Sequence, residues 1–199
     1  MSLLSFKDID CAFPVNKSGP VKIKKVISNG QTGASSGGLR AAKFMDLKTG
    51  GTIPKSFSNK NETKESILKK EFNLIENKNG KNYKEFVKIS IEQNVLNSDF
   101  SLLFGDEESI EYELTKKFCN KYKKYYLCIY SIEKLFLSIK VFQGDLCLYC
   151  ICGNNIDKQK EIKNGRPIIV NVSGNRENTN PGIELRTYRF VKRFLQFHG

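Results

Sequence analysis

The 199-residue chain contains one histidine and no tryptophan. That histidine, His198, stands one residue from the chain end. Chemistry that needs an imidazole held beside a serine or cysteine nucleophile is therefore not expected. A two-histidine metal site cannot be built from one copy of the chain. Long hydrophobic runs are missing too. A bilayer span needs about 20 consecutive apolar residues, and Lys, Asp or Gly interrupts every candidate run. The opening "MSLLSFKDID" lacks the apolar stretch of a secretory signal. The expectation is a cytoplasmic protein, neither secreted nor membrane-spanning, whose six cysteines stay reduced.

Three of those cysteines crowd the run "LCLYCIC", Leu146–Cys152. Cys147 and Cys150 have the spacing of a zinc pair, but zinc needs a tight turn that aims both sulfurs at one point. The run reads as a strand, where residues three apart face opposite ways. Cys119 and Cys128, the next available thiols, sit at a spacing foreign to zinc modules. No metal and no cofactor is expected, and the cysteines are read as small buried hydrophobes. Asp106, Glu107 and Glu108 form the densest acidic cluster. At a helix start the macrodipole accounts for them. No catalytic residue is identified, and the chain is expected not to be an enzyme.

"SNGQTGASSGGLR" follows a short strand reading, "PVKIKKV", and that setting suggests a phosphate loop. It lacks the terminal Lys-Ser/Thr of the nucleotide-binding P-loop, and "TGGTIPKS" has the wrong glycine spacing. Both are read instead as polar, glycine-rich tracts too costly to order. Residues 1–60 carry ten Lys/Arg against three Asp/Glu. They are expected to form a basic, partly flexible arm ahead of a core domain at 61–199.

What the chain has in excess is positive charge, +12 overall with a pI near 9.4. Such an imbalance attracts polyanions, either RNA or an anionic membrane. The abundant Lys, Asn and Ile also suit an AT-rich genome, so charge alone does not fix a partner. Three clusters are the candidate binding residues: Lys22, Lys24 and Lys25; Lys121, Lys123 and Lys124; Arg186, Arg189, Lys192 and Arg193. On a helix, Arg186, Arg189 and Arg193 would share one face, with Tyr188, Phe190 and Phe194 interleaved. No small-molecule substrate is expected.

Periodicity predicts a helix over about Glu65–Glu76 and a strand at "YKEFVKISIEQNVL", where Val87, Ile89 and Ile91 alternate. "GDEESIEYELTKKFCNKY" predicts a helix burying Ile110, Leu114 and Phe118. Three short apolar runs, "YYLCIYSI", "LFLSIKVF" and "LCLYCIC", have the spacing of an antiparallel meander, and "RPIIVNVSG" adds a strand. The expected fold class is α+β: one compact domain with an antiparallel sheet of about five strands and two or three helices.

Over about residues 60–150 the chain resembles the matrix proteins of rhabdoviruses. The resemblance is carried by "YKEFVKISIEQNVLNSDF", Tyr83–Phe100, read as an aromatic–aliphatic strand ending in an Asn-x-x-Phe type turn at Asn97 and Phe100. It implies a non-enzymatic viral structural protein that binds nucleocapsid or membrane, self-associates and resides in host cytoplasm and virion. No Pro-Pro-x-Tyr budding motif occurs in the arm. The alternative is a soluble nucleic-acid-binding viral accessory protein, a movement protein or silencing suppressor.

Overall fold

The computed structural model describes residues 22–55, 68–105, 109–129 and 156–198. Six strands lie in one sheet: β1 Ile23–Ile27, β2 Lys48–Ile53, β3 Leu74–Glu76, β4 Phe100–Phe104, β5 Tyr125–Ile129 and β6 Ile168–Gly174. Their order is β3-β2-β1-β6-β4-β5, and every pairing is parallel. The longer helices are α1 Ala34–Phe44, α2 Tyr83–Leu96, α3 Ile110–Lys121, α4 Ile156–Lys163 and α5 Ile183–His198.

A parallel α/β sheet replaces the expected antiparallel α+β domain. Short apolar runs carry no record of the direction in which they pair. Direction follows from the connections, because parallel neighbours need a crossover that returns the chain to the same end. Here α1 lies between β1 and β2, and α3 between β4 and β5. Val26 of β1 pairs with Val170 of β6 across most of the chain. Residues 130–155, with Cys147, Cys150, Cys152 and two of the three runs of the expected meander, lie outside the described residues.

Of the segment expected to be a partly flexible arm, residues 22–55 are described and supply β1, α1 and β2. "ASSGGLRAAKF" is α1, and its glycines are packing surfaces. A Cβ on Gly37 would stand 2.3 Å from the Glu184 carbonyl oxygen, and one on Gly38 would stand 2.6 Å from the Val172 side chain. Without those carbons α1 lies close against both α5 and β6. The composition that signals disorder in a linker here marks close approach.

Tyr83–Leu96, expected as a strand, is α2. Asn82 caps it: its Oδ1 accepts the Glu85 N–H at 3.0 Å, and the Glu85 carboxylate accepts the Lys81 N–H at 2.8 Å. Val87, Ile89 and Ile91 do alternate, but burial follows Phe86, Val87, Ser90, Ile91, Asn94 and Val95. That is a helical period. The stretch expected as a helix over 65–76 is helical at 68–72 and then forms β3.

α3 is a helix as expected, capped by Ser109. Of the expected buried face Phe118 is buried, but Ile110 is 67% exposed, and Glu111, Tyr112, Thr115 and Cys119 are buried instead. Asp106–Glu108 lie outside the described residues.

Helices cover both faces of the sheet. On one, Leu102, Phe104 and Val172 meet Ala41 of α1 and Phe190 and Leu195 of α5. On the other, Val87, Ile91 and Val95 of α2 pack with Phe118 and Cys119 of α3. Beneath α3 the second face is partly polar. Asn171 Nδ2 donates to Ser101 Oγ at 3.1 Å, and Thr115 Oγ1 lies 2.9 Å from Ser173 Oγ. Burial pushes the free Cys119 thiol up to about 11, which makes it an inert core group. No described helix is long and apolar enough to cross a membrane.

Candidate functional site

β1 and β4 send their crossovers in opposite directions, to β2 on one side and to β5 on the other, with β6 between them. α1 and α3 also cover opposite faces. The carboxyl ends of β1 and β4 therefore flank that of β6 at a topological switch point, the candidate crevice. Open parallel sheets hold ligands at such a switch point.

The loop Ser28–Gly33 forms one wall. Ser28 Oγ donates to the Val172 carbonyl at 2.6 Å, and its N–H donates to the Gly50 carbonyl at 3.0 Å. The strand end is thereby tied to both neighbours. Asn29 is buried, and its Oδ1 accepts the Gln31 N–H at 3.2 Å, which turns the loop back. Gly33, with φ +96°, is the N-cap of α1. A Cβ there would fall 2.4 Å from the Asn175 carbonyl oxygen.

That same carbonyl accepts the Ala34 N–H at 3.0 Å, and the Ser36 N–H donates to the Gln31 carbonyl at 3.1 Å. α1 has no side-chain cap and no acidic residue in its first turn. Its amino end packs against the segment after β6, and its partial positive charge lies there. Glu184 of α5 reaches the Gly33 N–H at 3.4 Å, while its other oxygen pairs with Arg40 at 2.7 Å.

The segment after β6 forms the opposite wall. The Asn175 N–H donates to the Phe104 carbonyl at 2.9 Å. Arg176 turns toward α3, where its Nε donates to Glu111 Oε1 at 2.6 Å and its Nη2 lies 2.5 Å from the same oxygen. Burial alone would lower Arg176, but the charge and hydrogen bond of Glu111, with the nearby Tyr83, together outweigh it, and the guanidinium sits above its usual range. Glu177 accepts the N–H groups of Glu184 and Gly182 at the start of α5, and these hold its carboxyl below the usual range. At the rim, Gln31 Nε2 donates to the Tyr83 phenol at 3.0 Å.

The basic residues expected to bind a polyanion lie elsewhere and in three places. Lys22, Lys24 and Lys25 stand at the entry of β1. Lys121, Lys123 and Lys124 stand at the end of α3 and the entry of β5. Both groups are at the amino edge of the sheet, opposite the crevice, with β6 and β4 between them. Lys121 pairs with Glu92 at 2.8 Å, and Lys124 Nζ donates to the carbonyls of Leu96 at 3.0 Å and Ser98 at 2.5 Å.

Arg186, Arg189, Lys192 and Arg193 are on α5. Arg186 donates to the Pro181 carbonyl at 2.9 Å and to Asn180, and Lys192 Nζ sits 3.9 Å over the Phe44 ring. Arg189 and Arg193 are exposed. The residues that build the crevice, Gln31, Tyr83, Glu111, Asn175 and Arg176, were not among those expected. One signal did point there, the short strand reading followed by a glycine-rich tract, set aside as a phosphate loop for want of a Lys-Ser/Thr. Among the described residues no three His, Cys, Asp or Glu side chains come together as a metal site.

A model of the circularly permutated YpsA SLOG family matches residues 26–195, from β1 into α5. A crystal structure from Syntrophus aciditrophicus SB, of a protein provisionally assigned as a molybdenum carrier protein, is similar with a TM-score of 0.60 and 22% identity. The likeness covers 90% of this chain and 96% of that one, and it shows a shared fold. No curated protein matches the sequence significantly.

The family match overturns the rhabdovirus matrix resemblance, and with it the viral structural role, the virion location and the movement-protein or silencing-suppressor alternative. The resemblance rested on a strand at Tyr83–Phe100, and that stretch is a helix, a turn and the first residue of β4. With the end of β1, its glycine loop and the β6 segment inside the matched residues, the chain belongs to the circularly permutated YpsA SLOG family.

Proposed function

We propose that the crevice binds a small phosphate-bearing ligand, its oxyanion at the amino end of α1, and that the protein acts by binding rather than catalysis. The observation that carries this is the Ser28–Gly33 loop, which leads from the switch point into α1, a helix with no acidic residue in its own first turn. The helix dipole favours an anion there. The carboxylates around the crevice are engaged: Glu111 by Arg176, Glu177 by two backbone N–H groups, Glu184 by Arg40. None is presented as an acid or base for a reaction. The small ligand departs from the expectation of a polyanion alone. A polyanion held by the basic residues of α5 or of the amino edge would occupy other surfaces. Molybdate, a tetrahedral oxyanion like phosphate, is a second ligand to test, because the structural relative is described as a molybdenum carrier.

Unfolding of the chain in the presence of AMP, inorganic phosphate or molybdate tests this reading. A ligand present at 100 times its Kd raises the unfolding free energy by about 2.7 kcal/mol. Thr32 is exposed in the loop beside Gly33, so Thr32→Asp sets a negative charge where the oxyanion would lie. Its ligand-free stability should stay within about 0.5 kcal/mol of the parent. Its affinity should fall at least about tenfold, or about 1.4 kcal/mol. Stabilisation that is unchanged in Thr32→Asp would place the ligand elsewhere.

A further inference from the structure

We propose that the outer face of the α1–α5 layer docks on an anionic phospholipid bilayer; the surface is separate from the crevice and does not depend on the ligand bound there. α1 and α5 lie side by side on one face of the sheet and run the same way. A Cβ on Gly37 would meet the Glu184 carbonyl oxygen, whereas Phe44, two turns on, meets Tyr188 with ring centroids 6.2 Å apart. The two helices carry six Lys/Arg, namely Arg40, Lys43, Arg186, Arg189, Lys192 and Arg193, against one carboxylate, Glu184. None of the six is buried. Glu184 pairs with Arg40 and Glu71 with Lys43, so the surplus charge rests on the four basic residues of α5.

Two exposed apolar side chains stand among these charges, Phe44 at 61% and Leu185 at 52%. Leu185, Arg189 and Arg193 follow one another at four-residue steps and share the outer stripe of α5. Ile183, Phe190, Phe194 and Leu195 hold the other side of that helix in the core, so docking needs no rearrangement of the layer. Other exposed apolar side chains lack this setting. Ile110 begins a turn that holds Glu111 and Glu113, and Ile75 precedes Glu76. Leu96 and Tyr125 border the amino-edge lysines, but there Glu92 pairs with Lys121 and Asp99 with Arg166.

Charge selects a polyanion, and the apolar residues select which one. A single-stranded nucleic acid stacks its bases on open ring faces. The Phe44 ring already carries the Lys192 ammonium 3.9 Å from its centroid, and Leu185 has no ring to offer. The boundary between headgroups and acyl chains takes up both side chains, while the basic residues around them meet lipid phosphates.

Co-sedimentation of the full-length chain with vesicles tests this. The chain should bind vesicles containing phosphatidylserine, should not bind phosphatidylcholine alone, and should release as salt is added. Arg189→Gln with Arg193→Gln should weaken binding about 25-fold, since each basic residue near an anionic surface contributes about fivefold. Phe44→Ser should weaken it about tenfold through the apolar area no longer buried. Lys24→Gln with Lys123→Gln, at the amino edge of the sheet, should leave it unchanged. No binding to phosphatidylserine vesicles at low salt would overturn the proposal, even where single-stranded RNA is retained. Binding that survives the arginine pair, or that falls with the lysine pair instead, would overturn it too. Full binding by Phe44→Ser would mean that no side chain enters the bilayer and would overturn the docking as described. The wild-type lipid and salt comparisons stand even if a variant fails to fold.

Discussion

Gly174→Ala is expected to cost about 4 kcal/mol or more, at the far end of single-substitution effects. Gly174 ends β6 with φ +148°, opposite Phe104 in the β4 register. A Cβ on it would stand 1.9 Å from the Phe104 carbonyl oxygen and 2.8 Å from the Phe104 nitrogen. Both are backbone atoms of a strand paired on both sides, so no side-chain rotation relieves the overlap. Gly165 is the control. It also has positive φ, +89°, but a Cβ there meets nothing within 4 Å. Gly165→Ala should therefore show only the backbone term, about 1–2 kcal/mol. Urea unfolding of the two variants separates crowding from backbone strain. Equal costs would mean that the β4–β6 contact is not as close as described.

Arg176→Met is the second large effect, expected at about 2–3 kcal/mol. The Glu111 side chain is 6% exposed and its partner Arg176 is 32% exposed. Losing the guanidinium leaves a buried carboxylate without its charge partner, for which breaking a fully buried pair costs about 3–5 kcal/mol. The lower figure allows for water reaching the more open arginine. Removing both charges should cost less than removing one, so Glu111→Gln combined with Arg176→Met should recover at least about 1 kcal/mol. Additive losses in the double variant, measured by urea unfolding, would show that the two side chains do not depend on each other.

The parts of the fold legible in the sequence are those whose signals are local. α3 has charges ordered along its axis and an apolar period, and β6 is a dense β-branched run, "IIVNV". α2 was hidden because Val87, Ile89 and Ile91 alternate as a strand would. The deciding feature was the cap, Asn82 with Glu85 three residues on, which fixes a helix start whatever the apolar spacing suggests. Pairing direction was not legible, since β1 lies between β2 and β6 and its second partner comes from near the other end of the chain.

The candidate site was half visible. Strand, glycine-rich loop and helix stand in order over residues 23–44, but comparison with one nucleotide-loop pattern demanded a Lys-Ser/Thr that this chain lacks. An anion at a helix start requires backbone N–H groups and room for close approach, and neither needs that lysine. Tyr83, Glu111, Asn175 and Arg176 reach the loop only through folding, from three separate segments. Nothing in their local sequence announces the meeting.

The most direct test is the position of binding, followed by amide chemical shifts during titration with AMP and with inorganic phosphate. An oxyanion at the crevice requires concentration-dependent shifts in the Ser28–Ser36 amides and in Gly174–Glu177. The amides of Lys22–Lys25 and Lys121–Lys124, at the opposite edge of the sheet, should stay still. Saturable shifts confined to those lysine segments or to Arg186–Arg193, with Ser28–Ser36 unmoved, would contradict the crevice as the binding site.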